Sequence, residues 1–221
     1  MSATDQARVL VVAKAPVAGR VKTRLGATVG DATAADLAAA ALLDTIAACR
    51  EAFPPEHCLL ALAGDLADAV RGDEIIHALD GWGIARQRGG TFAERLVNAH
   101  LDVPPGGPVV QVGMDTPQVS GELLHEAAAG LDGHDAVLGP ADDGGWWVLG
   151  LRRPAGATAL HDVAMSTEST YADTRAALAR AGLDVGSTTV LRDVDDADDA
   201  DVVAAQAPAG EFARAWRQVR P

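Results

Sequence analysis

The chain has 221 residues, a formal net charge of −13, and 48% apolar against 22% charged residues. So acidic a balance excludes a general nucleic-acid binder, which needs a basic face for phosphate contacts, and disfavours an anionic membrane surface. The length suits a single domain, 1–221, with a full core, and the two cysteines, Cys49 and Cys58, are too few for a disulfide framework or an ordinary zinc site.

The N-terminal MSATDQAR lacks the basic and apolar regions of a signal peptide and runs straight into a strand. No apolar run reaches the length of a membrane span, so the cytoplasm is the expected location. Val9 to Ala13 is short and apolar and predicts a buried strand. The stretch KAPVAGRVKTRL then runs from Lys14 to Leu25. It holds Lys14, Arg20, Lys22 and Arg24 around Gly19, with Thr23 between the last two. Lys14 and Lys22 are the only lysines in the chain, and no Asp or Glu occurs between Asp5 and Asp31. On so acidic a chain, an acid-free loop with these cations draws an anion. Its place between a strand and a helix points to phosphate, because a helix start offers free N–H groups and a positive dipole end. A solvated basic loop is the plainer alternative. The loop is not a P-loop, since no glycine stands at the required upstream position, and Gly19 alone is no dinucleotide fingerprint.

Asp31 to Arg50 carries Leu37, Ala41, Leu42 and Ile46 at helical spacing, with Asp31 or Thr33 placed to cap it. Cys58 to Ala63 predicts a strand, Asp65 to Val70 a short helix, and Gly83 to Gln87 another strand. Arg88-Gly89-Gly90 follows, able to hold a base or phosphate or to be only a turn. Thr91 to Glu94 matches a capping box opening a helix towards Asp102. Pro104 to Pro108 is a turn. Val109 to Val112 is a strand that runs into Gly113-Met114-Asp115-Thr116-Pro117. Ser120 can cap a helix from Glu122 to Leu131. Asp135 to Gly139 and Trp146 to Leu151 predict strands on either side of an acidic glycine loop. Ser169 to Ala181 reads as a helix stopped by Gly182. Thr188 to Leu191 reads as a last strand, before an Asp-rich segment and a helical tail ending near Val219.

Alternating strands and helices predict a three-layer α/β/α fold with a mainly parallel sheet and the ligand beyond the carboxyl ends of the strands. Lys14, Arg88, Asp115 and Asp142 all follow predicted strand ends and can line one cleft.

Asp115 stands directly after a strand, where a carboxylate can reach a metal or bond its own turn. Mg²⁺ takes one or two protein carboxylates and completes its shell with phosphate oxygens and water. Asp193 and Asp195 precede the last helical segment and can face the cleft, and Asp195 is the candidate second ligand. Asp196 fits a helix cap. Asp142-Asp143-Gly144-Gly145-Trp146-Trp147 joins acids that can bind acceptor hydroxyls to glycines that permit close backbone approach; a tight turn beside a core tryptophan is the alternative. The histidines show no metal spacing, and no Gly-x-Ser-x-Gly occurs.

The order of these landmarks is a basic loop with Lys22-Thr23-Arg24-Leu25, then Glu94-Arg95-Leu96, Gly113-Met114-Asp115-Thr116-Pro117, Gly139 to Trp147, Ser166-Thr167 and Asp193-Val194-Asp195. From Val9 to about Val202 it resembles the bacterial GT-A-fold glycosyltransferase-like proteins of unknown substrate. Those are similar to MobA-like nucleotidyltransferases and phospholactate guanylyltransferase. The chain differs at Thr91-Phe92-Ala93, where Asp-Leu-Gly is usual, and at Met165, where Trp is common. The resemblance implies a Rossmann-like nucleotide-diphospho-sugar transferase fold and a divalent metal, Mg²⁺ or Mn²⁺, at Asp115 aided by Asp195. It also implies nucleotide phosphates on Lys14, Lys22 and Arg24, and an acceptor near Ser166-Thr167.

Three functions are then open. The first is nucleotidyl transfer from an NTP to a small phosphorylated acceptor, with Lys22 and Asp115 catalytic; several cations suit a triphosphate. The second is glycosyl transfer from a nucleotide sugar. The third is a non-catalytic nucleotide-binding protein.

Overall fold

A computed structural model of the chain describes residues 3–220. Met1 and Ser2, part of the stretch read as polar and leaderless, lie outside the described residues. Helix α1 (Ala3–Gln6) precedes β1 (Arg8–Lys14), so the chain does not run straight into the strand. After the basic loop come α2 (Thr23–Val29), α3 (Asp31–Ala52), β2 (Cys58–Ala63), α4 (Gly72–Ala78) and β3 (Gly83–Arg86). Then follow α5 (Phe92–Asp102), β4 (Val109–Val112), α6 (Gly121–Gly130), β5 (Ala136–Pro140) and β6 (Trp146–Leu151). The chain closes with α7 (Thr170–Arg180), β7 (Val185–Ser187), α8 (Ala197–Gln206) and α9 (Glu211–Val219).

The strands form one sheet in the order β3-β2-β1-β4-β6-β5-β7. All neighbours run parallel except β6, which is antiparallel to both β4 and β5. The mainly parallel mixed sheet expected from the alternation is therefore present. Its direction explains the site. The segments leaving β1, β2, β3, β4, β5 and β7 all emerge at one edge, and β6 enters there.

Side chains alternate across the sheet, as pleating requires. Val9, Val11 and Ala13 of β1 pack on one face with Leu42 and Ile46 of α3 and Leu124 of α6. Leu10 and Val12 face the other way, onto Leu96 and Val97 of α5 and Leu178 of α7. This gives the three layers. The outer side of α3 is covered in turn by Leu25 of α2, Val203 of α8 and Phe212 and Trp216 of α9.

That double burial accounts for the composition of α3. It has 22 residues and a mean hydropathy of 1.5, long and apolar enough to cross a membrane by those measures alone. The expectation that no segment reaches this threshold is thus corrected. The helix is apolar on nearly every side because 72% of its apolar window is buried against neighbouring elements.

Local signals hold where both partners are close in sequence. Thr91 accepts from the Glu94 N–H at 3.1 Å while Glu94 accepts from the Thr91 N–H at 3.1 Å, completing the capping box of α5. Ser120 accepts from the Leu123 N–H at 3.3 Å. Other expectations need correction. Neither Asp31 nor Thr33 caps α3; its cap is Gly30, at φ +86°, which also ends α2. Asp65 to Val70 forms only a 3-10 turn, Leu66–Asp68, and α4 follows it. Thr188 to Leu191 is not a strand, and Leu191 contributes a single bridge to Ala141. The strand lies earlier, at β7, where a β-carbon on Gly186 would sit 2.4 Å from the His134 ring. With glycine at its centre, β7 carries no apolar alternation to read.

Candidate functional site

The basic loop leaves β1 at Lys14 and turns at Gly19, which has φ +73°. Lys22 is the next special residue. Its backbone is left-handed at φ 47°, a conformation that costs a non-glycine residue about 1–2 kcal/mol. The turn carries its side chain inward, to 7% exposure. There the ammonium contacts the Asp115 carboxylate and donates to the Val194 carbonyl. The Val194 N–H in turn donates to the Asp115 carbonyl at 2.9 Å. The loops after β1 and β4 and the segment before α8 are thereby fastened together. Arg24 reaches the same segment, with its guanidinium 3.2 Å from Asp195.

Two cavities meet at this junction. One, of about 480 Å³, is lined by Lys14, Arg20, Lys22, Thr23 and Arg24, with Arg95 from α5. The other, of about 680 Å³, is lined by Asp143, Gly145, Trp146, Thr167, Glu168 and Asp193. Arg24, Phe92, Asp115, Ser166 and Asp195 line both. A third hollow of about 700 Å³ continues the basic cavity under the ends of β2 and β3, sharing Lys14, Arg20, Gln87 and Arg95 with it. One long cleft results, basic towards β2 and acidic towards β6, with Lys22 and Asp115 at the seam.

The electrostatics follow from the crowding. Burial, then the neighbouring Asp115 and Asp143 carboxylates, push the Asp193 carboxyl up to about 7, against the pull of Lys22. Burial also raises Asp195, opposed by Lys22. The acidic side is short of positive charge, and its donors are hard oxygens of the kind Mg²⁺ and Mn²⁺ prefer. Among the described residues no group of three His, Cys, Asp or Glu is gathered to hold a metal by itself. Asp115 and Asp195 therefore fit a cation that completes its shell with phosphate and water, not a closed protein cage. On the basic side, Lys14, Arg20 and Arg95 have no carboxylate partner among the described residues.

Two of the residues expected at strand ends are spent elsewhere. Arg88 pairs with Asp102, its Nε 3.2 Å from Oδ2, and lines neither cavity. Gly89, at φ +129°, lies over the start of α5, where a β-carbon would come within 2.7 Å of Glu94 Cβ. Arg88 is thus tied to the last residue of α5 and Gly89 packs on its first turn. Asp142 pairs with Arg192 at 3.1 Å and does not line the cleft. Gly144 is structural: a β-carbon there would sit 2.1 Å from the Glu168 carbonyl oxygen. Gly19 has room around it except for Asp31. The helix that starts at the basic loop is α2, of only 7 residues, and its first residue, Thr23, lines the basic cavity.

Arg95 and Glu168 were not read as site residues, and Asp193 was weighed but set behind Asp195. The signal for Arg95 was present in Glu94-Arg95-Leu96, because a capping box at Thr91 fixes which way the first turn of α5 faces.

Residues 45–167, more than half of the chain, match the family described as "Uncharacterized protein conserved in bacteria (DUF2064)". The chain belongs to the DUF2064 family. The family segment contains Arg95, Asp115 and the stretch from Asp142 to Thr167, whereas the basic loop and Asp193 to Asp195 lie outside it. No curated protein matches this DUF2064 chain. Among solved structures, it is similar to a protein from Desulfovibrio desulfuricans G20 provisionally described as a nucleotide-diphospho-sugar transferase. The two are 26% identical at a TM-score of 0.84, over 99% of this chain and 95% of the other. Rv0371c from Mycobacterium tuberculosis H37Rv, solved as a complex with manganese, is 19% identical at a TM-score of 0.50, over 90% and 97% of the two chains. Molybdopterin-guanine dinucleotide biosynthesis protein A from Archaeoglobus fulgidus is 15% identical at a TM-score of 0.51, over 90% and 97%. The last two likenesses concern the fold alone. The DUF2064 chain has the nucleotide-diphospho-sugar transferase-like fold that the resemblance implied.

Proposed function

We propose that this protein is a metal-assisted nucleotidyltransferase, in which one domain spanning the chain transfers the nucleotidyl group of an NTP to a small acceptor. The observation that carries the reading is the division of charge along one cleft. The cavity holding Lys14, Arg20, Lys22, Thr23, Arg24 and Arg95 suits a triphosphate, and the acidic cavity beyond Asp115 suits the acceptor. Three unpaired cations together with Lys22 are more than a diphosphate requires. They would steady the charge that gathers on pyrophosphate as its bond to the α-phosphorus breaks.

Asp115 and Asp195, which line both cavities, would hold Mg²⁺ or Mn²⁺ through their hard oxygen donors. A bound ion would offset phosphate charge and polarise the phosphorus under attack. Lys22 pairs with Asp115 and fixes its position. Asp143, Gly145, Ser166 and Thr167 would contact the acceptor, while Gly144 shapes their loop. The manganese complex of Rv0371c supports the choice of metal.

Glycosyl transfer from a nucleotide sugar is the second reading. The relative from Desulfovibrio desulfuricans G20, at 26% identity, favours it. Thermal stabilisation decides between them. NTP with Mg²⁺ is expected to raise the melting temperature more than a nucleotide sugar does; the reverse order supports glycosyl transfer. Absence of any shift supports a non-catalytic role that uses neither ligand.

A further inference from the structure

The acceptor cavity has a composition that restricts what can enter it. Its lining includes five carboxylates, Asp115, Asp143, Glu168, Asp193 and Asp195, and a single cation, Arg24, which already pairs with Asp195. Asp115 is matched in the same way by Lys22. Setting aside those two pairs leaves Asp143 and Glu168 facing the space without an ion-pair partner, beside Asp193, whose buried carboxyl is pushed up to about 7. Asp143 accepts one backbone N–H, from Gly145 at 2.7 Å, and Glu168 is exposed on the loop opposite. The hydroxyls of Ser166 and Thr167 and the indole of Trp146 complete the wall.

Away from Asp115 and Asp195, a phosphate or carboxylate on the acceptor would meet the like charge of Asp143 and Glu168, and such juxtaposition opposes binding. Hydroxyl groups meet the opposite situation. Carboxylates accept hydrogen bonds from them, and Ser and Thr hydroxyls both donate and accept. An aromatic wall covers the apolar face of a ring. The volume of about 680 Å³ leaves room for a ring of monosaccharide size.

We propose that the acceptor is an uncharged polyhydroxyl compound of sugar or cyclitol size, with a hydroxyl oxygen as nucleophile. This rests on the nucleotidyltransferase reading for the donor and replaces the phosphorylated acceptor expected from the sequence. In the transfer, the acceptor hydroxyl oxygen forms a bond to the α-phosphorus of the NTP. The bond from that phosphorus to the pyrophosphate oxygen breaks, and pyrophosphate leaves with its electron pair. The hydroxyl proton passes to a lining carboxylate and from there to water.

Ligand-observed NMR titration tests this with myo-inositol and glucose and with the monophosphate ester of each, with and without an NTP and Mg²⁺. The neutral compounds are expected to bind at least ~10-fold more tightly than their esters. Glu168→Lys, on an exposed loop, is expected to narrow that gap several-fold while leaving NTP-induced stabilisation unchanged. Tighter binding of the esters to the unaltered protein overturns the inference, and so does failure of both neutral compounds to bind. The donor reading fails by a different result, the absence of any NTP-induced stabilisation, which leaves the comparison between neutral and esterified compounds readable.

Discussion

The ammonium of Lys22 touches the carboxylate of Asp115 and the carbonyl oxygen of Val194 at once. Lys22 is 7% exposed and Asp115 50%, so the pair is closed on the lysine side and open to the cleft on the aspartate side. The arrangement separates two roles. Lys22→Met should leave Asp115 without its counter-charge and weaken the fold by ~2–3 kcal/mol, discounted from a fully buried pair because Asp115 faces solvent. Asp115→Asn should cost less stability but abolish the Mg²⁺-dependent part of NTP stabilisation. Thermal melts with NTP, with and without Mg²⁺, measure both. A Mg²⁺ effect that survives in Asp115→Asn removes this residue from the metal site.

Arg95 lies where the basic cavity joins the hollow under β2 and β3. It packs over the Phe92 ring, with 5.5 Å between guanidinium carbon and centroid, and has no carboxylate partner among the described residues. A cation held without a counter-ion in a cleft is available for phosphate. Arg95→Gln should therefore weaken NTP binding ~10-fold, the size of one charged hydrogen bond. It should barely change the melting temperature of the free protein. Isothermal titration with an NTP gives the first quantity. A mutant with full affinity but a lowered melting temperature would make Arg95 a packing residue only.

Gly144 allows the acidic loop to pass under Glu168. Its φ is +87°, and a β-carbon would lie 2.1 Å from the Glu168 carbonyl oxygen. The Gly144 carbonyl also accepts from the Tyr171 N–H at 2.8 Å, which ties the acidic loop to the first turn of α7. Gly144→Ala should cost ~1–3 kcal/mol and push the Ser166 to Glu168 loop away from the cleft. The expected signature is a raised KM for the acceptor with the NTP affinity nearly intact. An alanine variant with unaltered stability would show that the loop has room to yield.

What could be read without coordinates depended on the distance between partners. Thr91 and Glu94 are three apart, and their capping box was legible. The apolar runs of β1 and β4 were legible too. Because parallel strands share one carboxyl edge, Lys22 and Asp115 could be expected together. Arg88 was misplaced because its partner, Asp102, lies at the far end of α5 and nothing local announces it. Asp142 was misplaced for the same reason, through Arg192. The start of α3 at Asp31 was legible, whereas α2 before it was not, because seven residues with Gly26 among them are too few to show a helical period. The acidic character of the acceptor cavity comes from Asp143, Glu168 and Asp193 on three separate segments, and only folding adds them together.

His100 gives the fold its own acid sensitivity, away from the cleft. It is fully buried on α5, and its Nε2 lies 3.1 Å from the Gln111 side-chain oxygen on β4. Its Nδ1 is buried with no hydrogen-bond partner among the described residues. The neutral ring with its proton on Nε2 donates to Gln111, but a charged ring would bury a second donor with nowhere to go. Burial therefore lowers its pKa from 6.5 to about 4, with the Gln111 bond opposing the shift. Below pH 6.5 the unfolded chain takes up a proton that the folded chain refuses until about pH 4. Stability contributed by the neutral ring is thus whole above the first value and falls across that window, by at most ~1.4 kcal/mol per pH unit. His100→Phe, which keeps an aromatic ring in the same space, should flatten this part of the profile. Urea unfolding of parent and variant between pH 7 and pH 4 measures the difference, from which the cleft carboxylates cancel. Parallel curves would mean that His100 takes up its proton equally in the folded and unfolded chain.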